Sequence, residues 1–529
     1  MKERSNWLVF GLFAALIFGQ TLLFDHYAFR EMAWHPTFGS ILVKMAAALL
    51  FASFTFLLRN KRWLIVLSVI IDTWFVANLI YMRNNHILLD AEAFNMSGNL
   101  HGYFWSVLIY IEWWTDLLFY GLTGLFGWFV WRLPSSKRSI GAFFAFCLIG
   151  CLPLVHERCS HVYGQPFAPT VASTSVLYAP YYIVADYRLM IDGIQPERPM
   201  EQADYAAANR LNQGTDSVTL DSPLIIVLLE SLENWVVTPE IMPNLYRLTH
   251  NDHVFYANRI HTQIVGAPSA DGQMIVNTGL LPITAGGTCL HYWQHTYPAI
   301  MKHAPGEAVC LLPHDTCVWN QTHMSPAYGY DSTIIYSDID TILFCKLDSL
   351  VDEGVQYIQC ITQSTHAPFV NEKYSRLELP RSMPWVMYNF IRGFNALDDG
   401  LGYFIRHLET DSALQQYTVV ITGDHRILHY EKRRQMQRYA DKHGMDLQPM
   451  DDYLPLVIYS PRISGNPRYT EDAYQMDIYP TYKALIGAAD TRWQGFGINL
   501  MDSTQKRLIP QNEAFVLSDK LIRNDYFGF

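Results

Sequence analysis

Three apolar runs in the second half of the chain each end in residues that bind metals or phosphates. Leu224 to Leu229 (LIIVLL) leads into Glu230-Ser231, Tyr357 to Thr362 into Gln363-Ser364-Thr365-His366, and Tyr417 to Thr422 into Gly423-Asp424-His425. Short apolar runs of this kind read as strands buried on both faces, and helical patterns alternate with them, which predicts an α/β domain around a largely parallel sheet. In such a sheet the carboxyl ends of the strands open on one crevice. Glu230, Asp424 and His425 can therefore meet there despite their separation in sequence. Two carboxylates and an imidazole suit Mn²⁺ or Zn²⁺, and Mg²⁺ less well because of the nitrogen ligand. Singly, each has a plainer explanation: Glu230 as a strand-end charge, Asp424-His425 as a turn.

A hydroxyl nucleophile is offered by Gly266-Ala267-Pro268-Ser269-Ala270-Asp271-Gly272-Gln273. Ser269 precedes the helical stretch Asp271 to Leu280, so a phosphate held at its side chain would face free backbone N–H groups and the positive end of the helix dipole. Taken alone, a serine after proline is an ordinary helix cap. His366 is placed either to hold a phosphate and protonate a leaving alkoxide or to serve as a structural strand-end histidine. Trp319 either stacks on substrate or fills the core.

In this order the segments resemble the lipoteichoic acid synthase family of the alkaline phosphatase and sulfatase superfamily, over nearly the whole chain. Further echoes are MPNLYRL from Met242 to Leu248, NTGLLP from Asn277 to Pro282, Trp319-Asn320, THAPF from Thr365 to Phe369, DIYPT from Asp477 to Thr481 and GFGINL from Gly495 to Leu500. The resemblance implies a bundle of five membrane spans carrying an extracytoplasmic sulfatase-like domain. It also implies one Mn²⁺ bound by Glu230, Ser269, Asp424 and His425, with Trp319, Gln321 and His366 near the substrate. The implied reaction moves a phospholipid head-group phosphate, of the phosphoglycerol type, through a phospho-Ser269 intermediate to a glycan, glycolipid or polyol acceptor.

Several positions depart from the family pattern. Ser269-Ala270 stands where Thr-Ser is common, and the serine keeps the hydroxyl. Gln321 stands where an arginine usually holds the phosphate, and Leu312 where a histidine is common, so the head group stays open and His314, Asp315 and His323 are candidate replacements. A phosphoethanolamine transferase shares the metal set, but its usual Cys-Gly-Thr is missing around Ser269. A sulfatase needs Cys or Ser two residues before the proline, where Gly266 stands. A phosphodiesterase differs only in using water as acceptor. An inactive receptor or scaffold is the non-enzymatic alternative, and the complete ligand set argues against it.

These residues need a scaffold and a place. The chain has 529 residues, 50% hydrophobic and only 16% charged, which excludes a disordered protein. Its net charge of -11 would repel nucleic acid. Apolar runs at Trp7 to Phe24, Ile41 to Leu58, Trp63 to Met82, Leu117 to Trp131 and Ile140 to Val155 predict five spans, the last two short. A cleaved signal peptide does not account for the first run, because no small-residue cleavage site follows it. Lys2 and Arg4, then Arg59, Lys61 and Arg62, then Arg132, Lys137 and Arg138 mark the cytoplasmic loops, whereas the alternate loops hold only Arg30 and Arg83. The large C-terminal part is thereby placed outside the cytoplasmic membrane. Asp72, Glu112 and Asp116, within or at the edges of spans, are either functional or hydrogen-bonded between helices.

The expected organisation is a bundle over 1–158, a connector over 159–216 broken by Gly164, Pro166, Pro169, Pro180, Pro196 and Pro199, and a catalytic domain over 217–529. Cys147 and Cys151 fall in the last apolar run. Cys159, Cys289, Cys310, Cys317, Cys345 and Cys360 lie where disulfides are permitted, with no pairing implied and no Cys-x-x-Cys zinc knuckle.

Overall fold

A computed structural model describes residues 2–29, 37–85, 88–89, 91, 93, 107, 109–133, 138–159, 175–185, 197–284, 286–336, 339–367, 369 and 373–528. Arg30, Lys137, Gly164, Pro166, Pro169, Pro196 and Pro368 lie outside these, as does the side chain of Cys159. The chain divides into two compact units, Met1–Pro196 and Glu197–Phe529.

The first unit is helical. Its apolar runs become the helices Lys2–Ala28, Phe38–Ala52 with its short continuation Phe54–Leu57, Arg62–Asn85, Trp113–Trp131 and Ile140–Cys159. Among the described residues, three helical segments, Asn6–Ala28, Phe38–Leu57 and Arg62–Arg83, are long and apolar enough to cross a membrane, and Ile140–Val155 is a shorter apolar stretch. Several polar side chains inside the bundle are paired, as is favourable for groups withdrawn from water. Gln20 donates to Asp72 at 2.8 Å, Lys44 meets Asp25 at 3.1 Å, and Arg83 grips both carboxylate oxygens of Asp116 at 2.8 and 2.9 Å. Residues Val176 to Ala179 pack into the same apolar cluster.

The second unit is built on a nine-stranded sheet in the order β4-β3-β5-β1-β6-β7-β2-β8, with β9 also on β2. The strands are β1 Leu224–Leu229, β2 Val254–His261, β3 Ala308–Leu312, β4 Ser332–Ile335, β5 Tyr357–Ile361, β6 Thr418–Gly423, β7 Leu454–Tyr459, β8 Arg468–Tyr469 and β9 Ala473–Tyr474. From β4 to β6 every neighbouring pair is parallel, and β7 is antiparallel to both β6 and β2. All six residues of β1 are fully buried, so the strand needs apolar side chains on both faces. Leu224, Ile226 and Leu228 join a core with the helices Pro268–Thr278, Ile478–Lys483 and Gln511–Arg523. Strand alternation sends Ile225 and Val227 to the opposite face. Ala208 and Leu211, on the helix Gln202–Leu211, belong to the first of these cores.

Among the described residues Cys147, Cys151, Cys289, Cys310, Cys317, Cys345 and Cys360 form no disulfide, and Cys289, Cys310 and Cys360 are buried.

Candidate active site

β5, β1 and β6 lie side by side, so their carboxyl ends deliver His366, Glu230 and Asp424-His425 to one edge of the sheet. The main chain of Glu230 is clamped between strand ends: its N–H donates to Thr362 Oγ1 at 2.9 Å and its carbonyl accepts from the Thr365 hydroxyl at 2.6 Å. Ser231 follows with φ 58, a left-handed turn unusual for serine. That turn aims the Ser231 N–H at Asp424 Oδ1, 2.8 Å away, while its hydroxyl donates to Glu230 Oε1 at 2.6 Å.

The fourth component arrives on the helix Pro268–Thr278. Proline at its first turn, where the missing N–H costs nothing, and Gly279 at φ 67 beyond its end fix the two boundaries. Ser269 does not cap this helix. Asp271 gathers the loop instead: its Oδ2 accepts from the N–H groups of Val265, Gly266 and Ala267 at 2.8, 3.0 and 3.1 Å. The Ser269 hydroxyl is thereby free to turn to the strand ends, 3.3 Å from Glu230 Oε2 and 3.3 Å from His425 Nε2. Gly272 permits this approach, because a Cβ there would fall 2.2 Å from the Asp424 carbonyl oxygen. The same carbonyl accepts from Gln475 Nε2 at 2.6 Å.

Glu230, Asp424 and His425 each offer a ligand atom, and these atoms all lie within 4.8 Å of one another. His425 Nδ1 meets the Arg426 carbonyl at 2.9 Å, which places the ring proton there and leaves the Nε2 lone pair facing the cluster. Nε2 is 3.5 Å from Glu230 Oε1 and 3.6 Å from Asp424 Oδ2. Asp424 Oδ2 is buried without a hydrogen-bond partner. A buried carboxylate oxygen of that kind, beside a second carboxylate and an oriented imidazole, fits a divalent cation of mixed oxygen and nitrogen preference.

The electrostatics agree. Burial works to raise the Glu230 pKa, but the His425 charge and hydrogen bonds hold it below the usual carboxylate range. Burial together with the Glu230 charge pushes Asp424 up to about 7. Against burial, the carboxylates of Asp424 and Glu230 push His425 up to about 10.

The remaining candidates surround this centre unequally. His366 is half-buried, its Nδ1 at 2.7 Å from the Ala367 carbonyl, and close enough to Glu230 for its charge to act there. Trp319 is half-buried at φ 50, packed against the core. Gln321 is buried and its amide is engaged: it donates to Gln273 Oε1 at 2.6 Å and accepts from the Ser325 hydroxyl at 2.9 Å. His314 stands just past the end of β3, where burial lowers its pKa and the charges of Glu230 and His366 reach it. Its position two residues beyond a parallel strand was the available signal. Asp315 caps the turn it begins by accepting from the Cys317 N–H at 3.0 Å, and His323 stacks on Trp293 with centroids 4.1 Å apart.

The Sulfatase family model matches residues 278–488, a span that includes Asp424 and His425. The chain is 23% identical to lipoteichoic acid synthase 2 of Bacillus subtilis (strain 168) over 328 residues, 56% of this chain and 50% of that protein. It is also 23% identical to lipoteichoic acid synthase 1 of the same organism over 352 residues, 58% and 55% of the two chains. The crystal structure of the lipoteichoic acid synthase LtaP from Listeria monocytogenes aligns with 61% of this chain and 97% of its own, at 20% identity and a TM-score of 0.49. The chain thus spans about half the length of the curated relatives it matches. It carries a match to the sulfatase model over 278–488 and resembles the lipoteichoic acid synthases of Bacillus subtilis.

Proposed function

We propose that the protein transfers a phospholipid head-group phosphate, of the phosphoglycerol type, to an acceptor hydroxyl of an envelope glycan, glycolipid or polyol. The observation that carries this reading is the Ser269 hydroxyl, 3.3 Å from both Glu230 Oε2 and His425 Nε2 at the mouth of the metal-type cluster. Glu230, Asp424, His425 and Ser269 would hold one divalent cation, Mn²⁺ in the first instance and Zn²⁺ in the second. When bound, such an ion lowers the pKa of the hydroxyl and neutralises charge on the phosphoryl oxygens.

With its hydroxyl proton released to solvent, Ser269 attacks phosphorus through Oγ as the alkoxide. A bond forms between them, and the bond to the lipid alkoxide breaks in line with it; serine leaves again as the alkoxide in the second half. The departing diacylglycerol takes a proton, and His366 is the donor placed for it. In the second half the acceptor hydroxyl attacks the phosphoserine, gives up its proton to the same imidazole, and restores Ser269. With Gln321 committed to Gln273 and Ser325, the imidazoles of His314 and His366 replace an arginine at the phosphate. Trp319, half-buried against the core, would supply an apolar wall for the head group.

Five spans over 1–158, a connector over 159–216 and a catalytic domain over 217–529 complete the reading. The inner, cytoplasmic membrane is the proposed site, with the α/β unit on its outer face. Tethering to the bilayer keeps enzyme and donor at high effective concentration. Incubation with phospholipids labelled in the head group, followed by acid quench and peptide mapping, should find label on Ser269 that chases to a sugar acceptor. Ser269→Ala should abolish both with the fold intact. Label released only to water would make the protein a phosphodiesterase, and full activity in Ser269→Ala would remove the nucleophile assignment.

A further inference from the structure

Two segments leave the catalytic edge of the sheet directly after its strand-end residues, and both are basic. One follows His366 and runs from Lys373 to Met383; the other is the helix Tyr430–His443, which follows His425. They lie side by side, since the Ser382 and Tyr439 hydroxyls meet at 3.1 Å. The helix is anchored by its inner face. Arg433, 3% exposed, binds both oxygens of buried Glu233 and the Leu428 and Pro449 carbonyls, and Met436 and Ala440 are buried beside it. Glu233 is itself three residues past Glu230, which ties the helix to the rim of the metal cluster.

The outer face is different. Arg434, Arg438 and Lys442 stand at i, i+4 and i+8, one stripe along the helix. None of the three makes an ion pair among the described residues, and neither do Lys373, Arg376 and Arg381 on the neighbouring segment. Arg438, Lys442, Lys373, Arg376 and Arg381 are exposed. The acids interspersed are Glu378, Glu431, Asp441 and Asp446. Flanking the cations are two aromatic side chains, Tyr374 and Trp385, each 56% exposed. A chain of net charge -11 has thus gathered six cations outside any ion pair among the described residues, with two exposed rings, on segments that follow the strand ends of its candidate site.

From this we infer that the face formed by the Lys373–Trp385 segment and the outer stripe of the Tyr430–His443 helix rests on an anionic phospholipid surface. Cations in a row meet negatively charged head groups, and amphipathic rings settle at the head-group level. Three helices of the same chain are apolar enough to cross a bilayer, so such a surface is always within the protein's reach. The contact presents the Ser269 opening to the head-group layer. Its purpose rests on the proposed lipid donor, but the contact itself is measurable without turnover.

The full-length Ser269→Ala protein, placed in nanodiscs of brominated phosphatidylglycerol and phosphatidylcholine, gives that measurement. The quenching due to Trp385 is the difference between this protein and its Trp385→Phe counterpart. We expect this quenching in the anionic nanodiscs, with its loss at high salt, in phosphatidylcholine alone, and in R434E/R438E/K442E. A thermal unfolding midpoint matching that of the Ser269→Ala parent shows that the charge-reversed protein is folded. Equal Trp385 quenching in both lipids or in the charge-reversed protein overturns the inference. So does an unquenched Trp385 accompanied by tight binding of soluble poly(glycerol phosphate) to the same stripe.

Discussion

A histidine that must lose a proton to become a ligand couples metal binding to pH. Asp424 and Glu230 push His425 up to about 10 in spite of burial, and burial with the Glu230 charge pushes Asp424 up to about 7. Entry of a cation therefore expels protons, and affinity should climb as pH rises toward these values. Calorimetric titration with Mn²⁺ in buffers of different ionisation enthalpy should register that release. Asp424→Ala should abolish binding, whereas Gln321→Ala, outside the cluster, should leave the affinity within about tenfold. The contrast also marks what could be read from the sequence at this scale. Glu230, Asp424 and His425 were legible because each follows an apolar strand, and topology then makes them neighbours. The engagement of Gln321 by Gln273 and the grip of Asp271 on three loop amides were not, because both depend on side-chain contacts that no spacing rule encodes.

At the scale of elements, the site depends on how closely one helix approaches one turn. A methyl group at position 272 would lie 2.2 Å from the Asp424 carbonyl oxygen, a main-chain atom that cannot swing aside. Gly272→Ala should cost roughly 1–3 kcal/mol in stability and displace Ser269 from Glu230 and His425. Thermal unfolding and the head-group transfer assay would report the two effects together. On the other flank, Asp340 opens the helix Asp340–Asp352 and accepts from the N–H groups of Gln363 and Ser364, which hold the turn leading to His366. Burial pushes its pKa up to about 6, despite these hydrogen bonds, from an ordinary 3.8. The sign follows: the protonated form is the better tolerated, so its contribution to stability is complete below 3.8 and is lost as pH rises through about 6. Over that window the loss is about 3 kcal/mol. Subtracting the stability profile of Asp340→Asn from that of the unaltered protein should reveal it. The strand β5 was legible in the sequence; the distant aspartate beneath its terminal turn was not, since nothing local to Asp340 distinguishes it from a surface helix start.

The whole molecule sets two chemistries apart in one chain. Long apolar runs announce the helical unit, because no soluble core requires them in succession. The segment between the units was harder to read. Residues Val176 to Ala179 join the apolar cluster of the helical unit, whereas Ala208 and Leu211 join that of the α/β unit, and composition alone cannot assign such short pieces. Charged groups inside the bundle were visible in sequence, but their partners were not. Asp116 proves to be held by both terminal nitrogens of Arg83, with side chains only 5% and 10% exposed. Asp116→Ala removes the counter-charge of a guanidinium withdrawn from water, so it should cost the bundle roughly 3–5 kcal/mol. Asp72→Asn should cost far less, since an amide oxygen still accepts from Gln20. Both are measurable as resistance to unfolding by a denaturing detergent after reconstitution. Every proposed metal ligand lies between residues 230 and 425, within the second unit. Mn²⁺ affinity in Asp116→Ala should consequently stay within about twofold of the unaltered protein, as expected for changes that share no partners. A large fall in that affinity would show that the bundle helps to shape the Glu230, Asp424 and His425 cluster.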